Sequence, residues 1–389
     1  MAEGMIAAGS RGPRLTNAGL VSAVLVGLVG AMVIFVTPGF LALIAQKAGL
    51  NNDQLGYIAA WDINAMAVAI GVSTFALSRV RWRHAVALSL VLIALGNGLT
   101  AMTDSFAGIA AARVVAGAGE GIAVGFAFAA LGRAANPDRA FAIYLVVGAL
   151  FSSGLLFMLP VLQAAMEPAW LFIANAVLAL LVLFSLRHFP DGSADEDDVF
   201  AGGGKLDLPL AGGALLGVFL YFFATGAIWS YSERIGIGSG LTPDLIATGL
   251  SLGTLAGVLG AALAGMLPRR WGRSWPLLIS GGVSVTSFLL LRDNVSAVAF
   301  IASTTMLLFG WNFAQPLLSG ICSEACARGR VVCAMGSIQT FGTGLGPAAA
   351  AATLVTGSFN LAIYGSAIIL VASLLITIFA THRTPRRLA

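Results

Sequence analysis

Charge is what this sequence has least of. Only 10% of its 389 residues are Asp, Glu, Lys or Arg, against roughly 25% in an ordinary soluble domain. A water-soluble fold of this length needs polar side chains to cover its surface, and 21 basic plus 17 acidic residues are too few. Lipid must replace water over much of that surface. Histidine and cysteine are scarcer still, at three each. Cys322, Cys326 and Cys333 lie close together with no histidine nearby to complete a zinc set, so they read as structural or inert thiols. Gly204-Lys205 is followed by Leu206 rather than Ser or Thr, which excludes a phosphate-binding loop, and Gly117-Ala-Gly119 lies inside an apolar run rather than after a strand. No metal, cofactor, ATP-hydrolysing domain or enzymatic nucleophile is therefore expected. The net charge of +4 does not point to nucleic acid, because the basic residues fall between apolar blocks and form no stripe. Before the first long span, Arg11 and Arg14 precede no short apolar core with a cleavage site, so no removable leader is expected.

What is present is apolar sequence in lengths that suit a bilayer. A membrane helix needs about 20 apolar residues. Twelve such blocks stand between polar breaks, at 17–46, 54–78, 84–103, 105–132, 138–165, 169–187, 207–232, 243–267, 274–291, 295–323, 330–356 and 359–381. The acidic, glycine-rich stretch 188–205 separates two halves, 1–187 and 206–389. With the N-terminus inside, only Lys47, Arg234 and Arg292 fall in outer breaks and Arg113 falls within a span. The other 17 basic residues lie on the inner side. That bias predicts a multi-pass cell-membrane protein with both termini cytoplasmic. Polar landmarks also recur at an offset of 189 to 191 residues: Asp53 with Asp244, Arg83 with Arg273, Asp104 with Asp293, Arg139 with Arg330. Two parallel six-helix repeats follow, with a solute site expected between them.

In the fourth span, Arg113-Val-Val-Ala-Gly117-Ala-Gly119-Glu120-Gly121 resembles the arginine-and-spaced-glycine motif of the major facilitator superfamily, which that family links to proton movement. The loop Gly265-Met-Leu267-Pro-Arg269-Arg270-Trp-Gly272-Arg273 is similar to the family's cytoplasmic gating loop, with Arg269 where an aspartate is usual. Its counterpart around Arg79, Arg81 and Arg83 keeps the charge without the glycines. The fifth span has Gly148 and Gly154 but lacks the glycine-proline pair of the family's drug antiporters; Gly342, Gly344, Gly346 and Pro347 form a comparable element in the eleventh. The resemblance implies an all-α fold of twelve transmembrane helices in two pseudo-symmetric bundles, with the first, fourth, seventh and tenth spans lining the cavity. Gly117, Gly119, Gly121, Gly265, Arg269, Arg270, Gly272, Arg273, Gly346 and Pro347 are then the candidates for gating and helix movement.

Ionisable groups inside a bilayer are expensive unless paired or wetted. Three sit well inside: Asp62, Arg113 and Glu120. At about 1.5 Å per residue, Asp62 and Arg113 lie at similar depth, so a salt bridge between them is expected, with Glu120 deeper on the same face as Arg113. Two carboxylates and one guanidinium leave one acid uncompensated. Burial favours its neutral form and the arginine its ionised form. Proton coupling through Glu120 or Asp62 competes here with a permanently satisfied network holding two helices together, and with direct binding of a cationic substrate group. Tyr221, Thr225 and Trp229 recur on one face of the seventh span; Trp311, Asn312 and Gln315 cluster in the tenth; Gln339 lies in the eleventh. These are the candidate contacts to a small organic solute, since amides facing lipid would lack hydrogen-bond partners. A monomeric secondary transporter working with protons is the leading expectation. Efflux of hydrophobic compounds by proton antiport, and a non-transporting sensor on the same scaffold, are the alternatives.

Overall fold

The computed structural model describes residues 15–191, 207–267, 272–325, 330–354 and 358–383. Within them the chain is helical and holds no strand: α1 (Asn17–Phe35), α2 (Thr37–Ala48), α3 (Asn52–Ala76), α4 (Trp82–Met102), α5 (Phe106–Gly132), α6 (Pro137–Ala165), α7 (Pro168–Val182), α8 (Leu208–Gly238), α9 (Pro243–Gly265), α10 (Ser274–Leu289), α11 (Ala297–Glu324), α12 (Arg330–Thr353) and α13 (Asn360–Arg383). Ten of these helices are long and apolar enough to cross a membrane. The other three are α2, the shorter apolar α10 and α12, and a 3-10 turn, Leu183–His188, extends α7. Twelve spans result from thirteen helices because α1 and α2 are two pieces of the first. Val36 leaves helical geometry at φ −120°. Pro38 has no N–H to offer the carbonyl four residues back, and the Thr37 hydroxyl bonds the Val33 carbonyl at 2.7 Å.

Helix starts follow the sequence's polar breaks. Thr16, Asn51, Ser105, Asn136, Asp207 and Ser296 each accept from a backbone N–H in the first turn, satisfying donors that the helix itself cannot. Asp53 and Asp244 sit in the first turns of α3 and α9, where a negative charge suits the helix dipole. The helices are apolar on all sides, and large side chains such as Val72, Leu88, Phe184 and Ile368 point outward. In a bilayer that surface meets acyl chains.

One hydrophobic cluster draws on residues 23 to 189; the other draws on 210 to 380 and takes in Met32, Val36 and Leu156 from the first helices. α5 packs between α3 and α4, and α11 between α9 and α10. α3 packs on α12, α6 on α9 and α2 on α8, which closes the first seven helices against the last six. Glycines set how near the backbones come. A Cβ on Gly342 or Gly346 would lie 2.4 or 2.2 Å from a carbonyl oxygen of α8, while Gly344 faces Asn64 of α3. α12 is wedged between both. Gly265 ends α9, Gly272 takes the left-handed conformation at φ 65°, and Arg273 pairs with Glu324 of α11. Arg269 and Arg270 lie outside the described residues, as do 192–206 of the expected linker.

Candidate functional site: a buried arginine between two acids

Arg113 projects from the first third of α5 into the space between α3 and α4, and none of it reaches the surface. It can sit there because glycine removes the obstruction. A Cβ at Gly117 would lie 2.2 Å from the Asp62 carbonyl oxygen, and one at Gly121 the same distance from that of Met66. A Cβ at Gly119, on the other side of α5, would lie 2.6 Å from the Ser89 carbonyl oxygen of α4. The three motif glycines thus bring three backbones together around one guanidinium.

Arg113 Nε and Nη2 both lie 2.8 Å from Asp62 Oδ2, and Nη2 also donates to Glu120 Oε1 at 2.9 Å. The sequence suggested a pair with Glu120 left deeper in the span. Instead the guanidinium holds both acids, since two helical turns, roughly 10 Å of rise, can be bridged by an arginine and a glutamate extended toward each other. Three further residues complete the enclosure and were not singled out from the sequence. Asn97 of α4 accepts from Arg113 Nη1 at 3.2 Å and from Asn175 Nδ2 of α7 at 3.1 Å. The Phe40 ring of α2 covers the guanidinium, 4.5 Å from its carbon. A legible signal existed for the amides: Asn97 and Asn175 each interrupt an apolar run, as Asn312 does.

The charge does not balance. Asp62, Arg113 and Glu120 are 0%, 0% and 2% exposed, and two carboxylates against one guanidinium would bury a net negative charge at a cost of several kcal/mol. One proton on the acids removes it. Asp62 Oδ1 and Glu120 Oε2 have no hydrogen-bond partner among the described residues, so each offers a place for that proton.

The second half carries no equivalent charge. At an offset of 190 residues, Arg113, Asn97 and Glu120 correspond to Ser303, Ser287 and Gly310. Ser303 donates to the Ser287 carbonyl at 2.8 Å, the neutral counterpart of the Arg113 to Asn97 bond. The Gly310 carbonyl accepts from Tyr221 and Ser280.

The aromatic and amide candidates are placed apart from this triad. The Tyr221 hydroxyl is enclosed among Ser280, Ser284 and the Gly310 carbonyl, each at 3.0 Å. Thr225 and Asn312 bond back to their own helices, at the Tyr221 and Leu308 carbonyls. Trp311 packs edge-on against Phe222, while Gln315 and Gln339 stay partly exposed. Trp229 crosses between the halves: its indole donates at 3.2 Å to the Ile34 carbonyl, the one that Pro38 leaves without a helical donor. Two residues on, Tyr231 donates to the Asn52 carbonyl at 2.7 Å. A Cβ at Gly56 would come 2.1 Å from that hydroxyl and 2.7 Å from the Pro347 carbonyl oxygen, a backbone atom that cannot swing aside, so glycine is required there. Together they latch α8 onto the start of α3 and the break in the first span, at the end of the bundle opposite the termini. Trp229→Phe should cost about 1 kcal/mol of stability and raise labelling of a cysteine placed in α2, read by maleimide modification in membranes; unchanged labelling would dissolve the latch.

The fold has solved counterparts. A D-xylose–proton symporter matches with a TM-score of 0.73 at 14% identity, over 92% of this chain and 96% of that one. The nucleoside transporter NupG matches at 0.71 and 13%, over 94% and 100%. A POT family transporter in complex with 5-aminolevulinic acid matches at 0.73 and 12%, over 94% and 97%. Among curated proteins no sequence matches. The family model for the Major Facilitator Superfamily matches residues 23–347, the stretch that holds the triad, the latch and both glycine wedges. The chain is a multi-pass membrane protein with a transporter's architecture, and it belongs to the major facilitator superfamily.

Proposed function

We propose that the chain is a proton-coupled secondary transporter of a small organic solute, working by alternating access between halves 1–187 and 206–389. The observation that carries this reading is the Asp62, Arg113, Glu120 triad: one buried cation, two buried acids and two unpartnered oxygens. Protonated once, the triad is neutral and can stay dry. Releasing the proton strands a charge, which favours whichever arrangement admits water to it. α2 transmits that preference, since it places Phe40 over Arg113 and packs on α8 of the other half. The termini lie in the cytoplasm of a cell-membrane protein by the bias of basic residues, so the latched end is the outer one. The solute site lies between the halves, with Trp311, Asn312, Gln315 and Gln339 as its candidate contacts, and the protein works as a monomer.

The test uses purified protein in liposomes with a pH-sensitive dye inside and a panel of organic solutes. A solute should drive proton flux in the parent protein. Glu120→Gln and Asp62→Asn should each abolish gradient-driven uptake and leave counterflow exchange of the same solute intact, since a neutral isostere holds the helices but carries no proton. Unchanged gradient-driven uptake in both variants would make the triad structural.

A further inference from the structure

The seam between the halves holds a cavity of about 420 Å³ whose lining includes none of the triad residues. It lies toward the latched end, walled by α2 and α6 from one half and by α8 and α9 from the other. Most of the wall is apolar, with Leu156 and Leu159 facing across from Ile246 and Leu250. Four polar side chains interrupt it: Gln46, Gln163, Glu233 and Arg234. Glu233 is 8% exposed. Its Oε2 lies 2.8 Å from Arg234 Nε, close enough for an ion pair, yet neither atom has an aligned hydrogen bond among the described residues. The pair is adjacent on one helix, which keeps the two groups from lining up. Buried Glu233 and half-buried Arg234 therefore each keep an enclosed atom with unspent hydrogen-bonding capacity, a costly condition that a ligand bearing both signs would relieve.

We propose that this seam cavity is a binding site for a zwitterionic amphiphile, its ammonium directed to Glu233, its anionic group to Arg234 and its apolar body to the leucines and isoleucine opposite. The shared chemistry admits two sources, a free amino acid with a large apolar side chain or the headgroup of phosphatidylethanolamine. Both halves wall the cavity, so an occupant holds the latched arrangement together. Inhibition of transport from the outer side follows, and that consequence alone rests on the transporter reading.

The test is thermal unfolding of the purified full chain in uncharged maltoside micelles. Phenylalanine should raise Tm saturably by about 2 °C or more, while phenethylamine and hydrocinnamate, each carrying one of the two charges, should not. Glu233→Gln and Arg234→Gln should each abolish the rise, with folding checked by a monodisperse elution profile. Gln163→Trp, which narrows the cavity and leaves both charges, should abolish it too. Glu120→Gln should retain it, so failure of the proton reading would leave this result standing. A rise with phosphatidylethanolamine and not with phenylalanine, lost in the same variants, would assign the site to lipid. No rise with either zwitterion, or a rise that survives both charge variants, overturns the proposal.

Discussion

Arg113→Leu should leave the protein both inactive and about 3–5 kcal/mol less stable, measured by unfolding in mixed micelles. Removing the cation leaves Asp62 and Glu120 facing one another, both buried, and breaking a buried ion pair on one side carries a penalty of that size. The decisive comparison is the triple variant Asp62→Asn, Arg113→Leu, Glu120→Gln. It removes all three charges in similar volume, so no uncompensated buried charge remains, and the two new amides can donate and accept toward one another and Asn97. Most of the lost stability should return while gradient-driven transport stays absent. Stability and coupling then separate, as they must if the charges are kept for their proton and not for holding helices. A triple variant as unstable as Arg113→Leu alone would show that the triad mainly holds α3 against α5.

The second large effect concerns a residue with no side chain. Gly117→Ala should sharply reduce the yield of folded protein, because the added methyl carbon would stand 2.2 Å from the Asp62 carbonyl and 3.0 Å from Asp62 Oδ1. Backbone cannot swing aside as a side-chain tip can, so α3 and α5 must separate by about 1 Å to reach ordinary contact distance. Overpacking of this kind costs about 1–3 kcal/mol. The same separation pulls Asp62 away from Arg113, so any protein that does fold should have lost coupling as well. Gly98→Ala is the control. That glycine lies in α4, beside Asn97, with nothing within 4 Å of an added Cβ. The change should be neutral or gain up to about 1 kcal/mol of helix propensity. Equal loss in the two variants, measured as the monodisperse fraction after purification, would mean that glycine here serves only as a helix breaker.

Much of the architecture was readable in one dimension. Span positions depend on apolar length and polar breaks, and these act locally: Thr16, Asn51, Ser105 and Ser296 cap helices within a residue or two of where the polar breaks suggested. Asp62, Arg113 and Glu120 stood out because a charge in an apolar run has no cheap position in a bilayer. The break at Val36 was less visible, although Pro38 was its signal.

Partner choice was not readable. An arginine at the depth of one acid and two turns from another can pair with either, and only the approach of α3 to α5, set by Gly117 and Gly121, lets one guanidinium reach both. Asn97, Asn175 and Phe40 come from three further helices, and no periodicity in one helix says what a distant one brings to it. The same applies to Tyr221 and Trp229, four and eight residues along one face from Thr225 and Tyr221 respectively. One is enclosed by its own half and the other reaches a carbonyl freed by a proline nearly 200 residues earlier. Composition and spacing settle which residues must be buried and roughly how deep, because solvation is a property of each residue and its near neighbours. Which buried groups meet is settled by helix packing, because the distances that decide a hydrogen bond are smaller than any the chain order can specify.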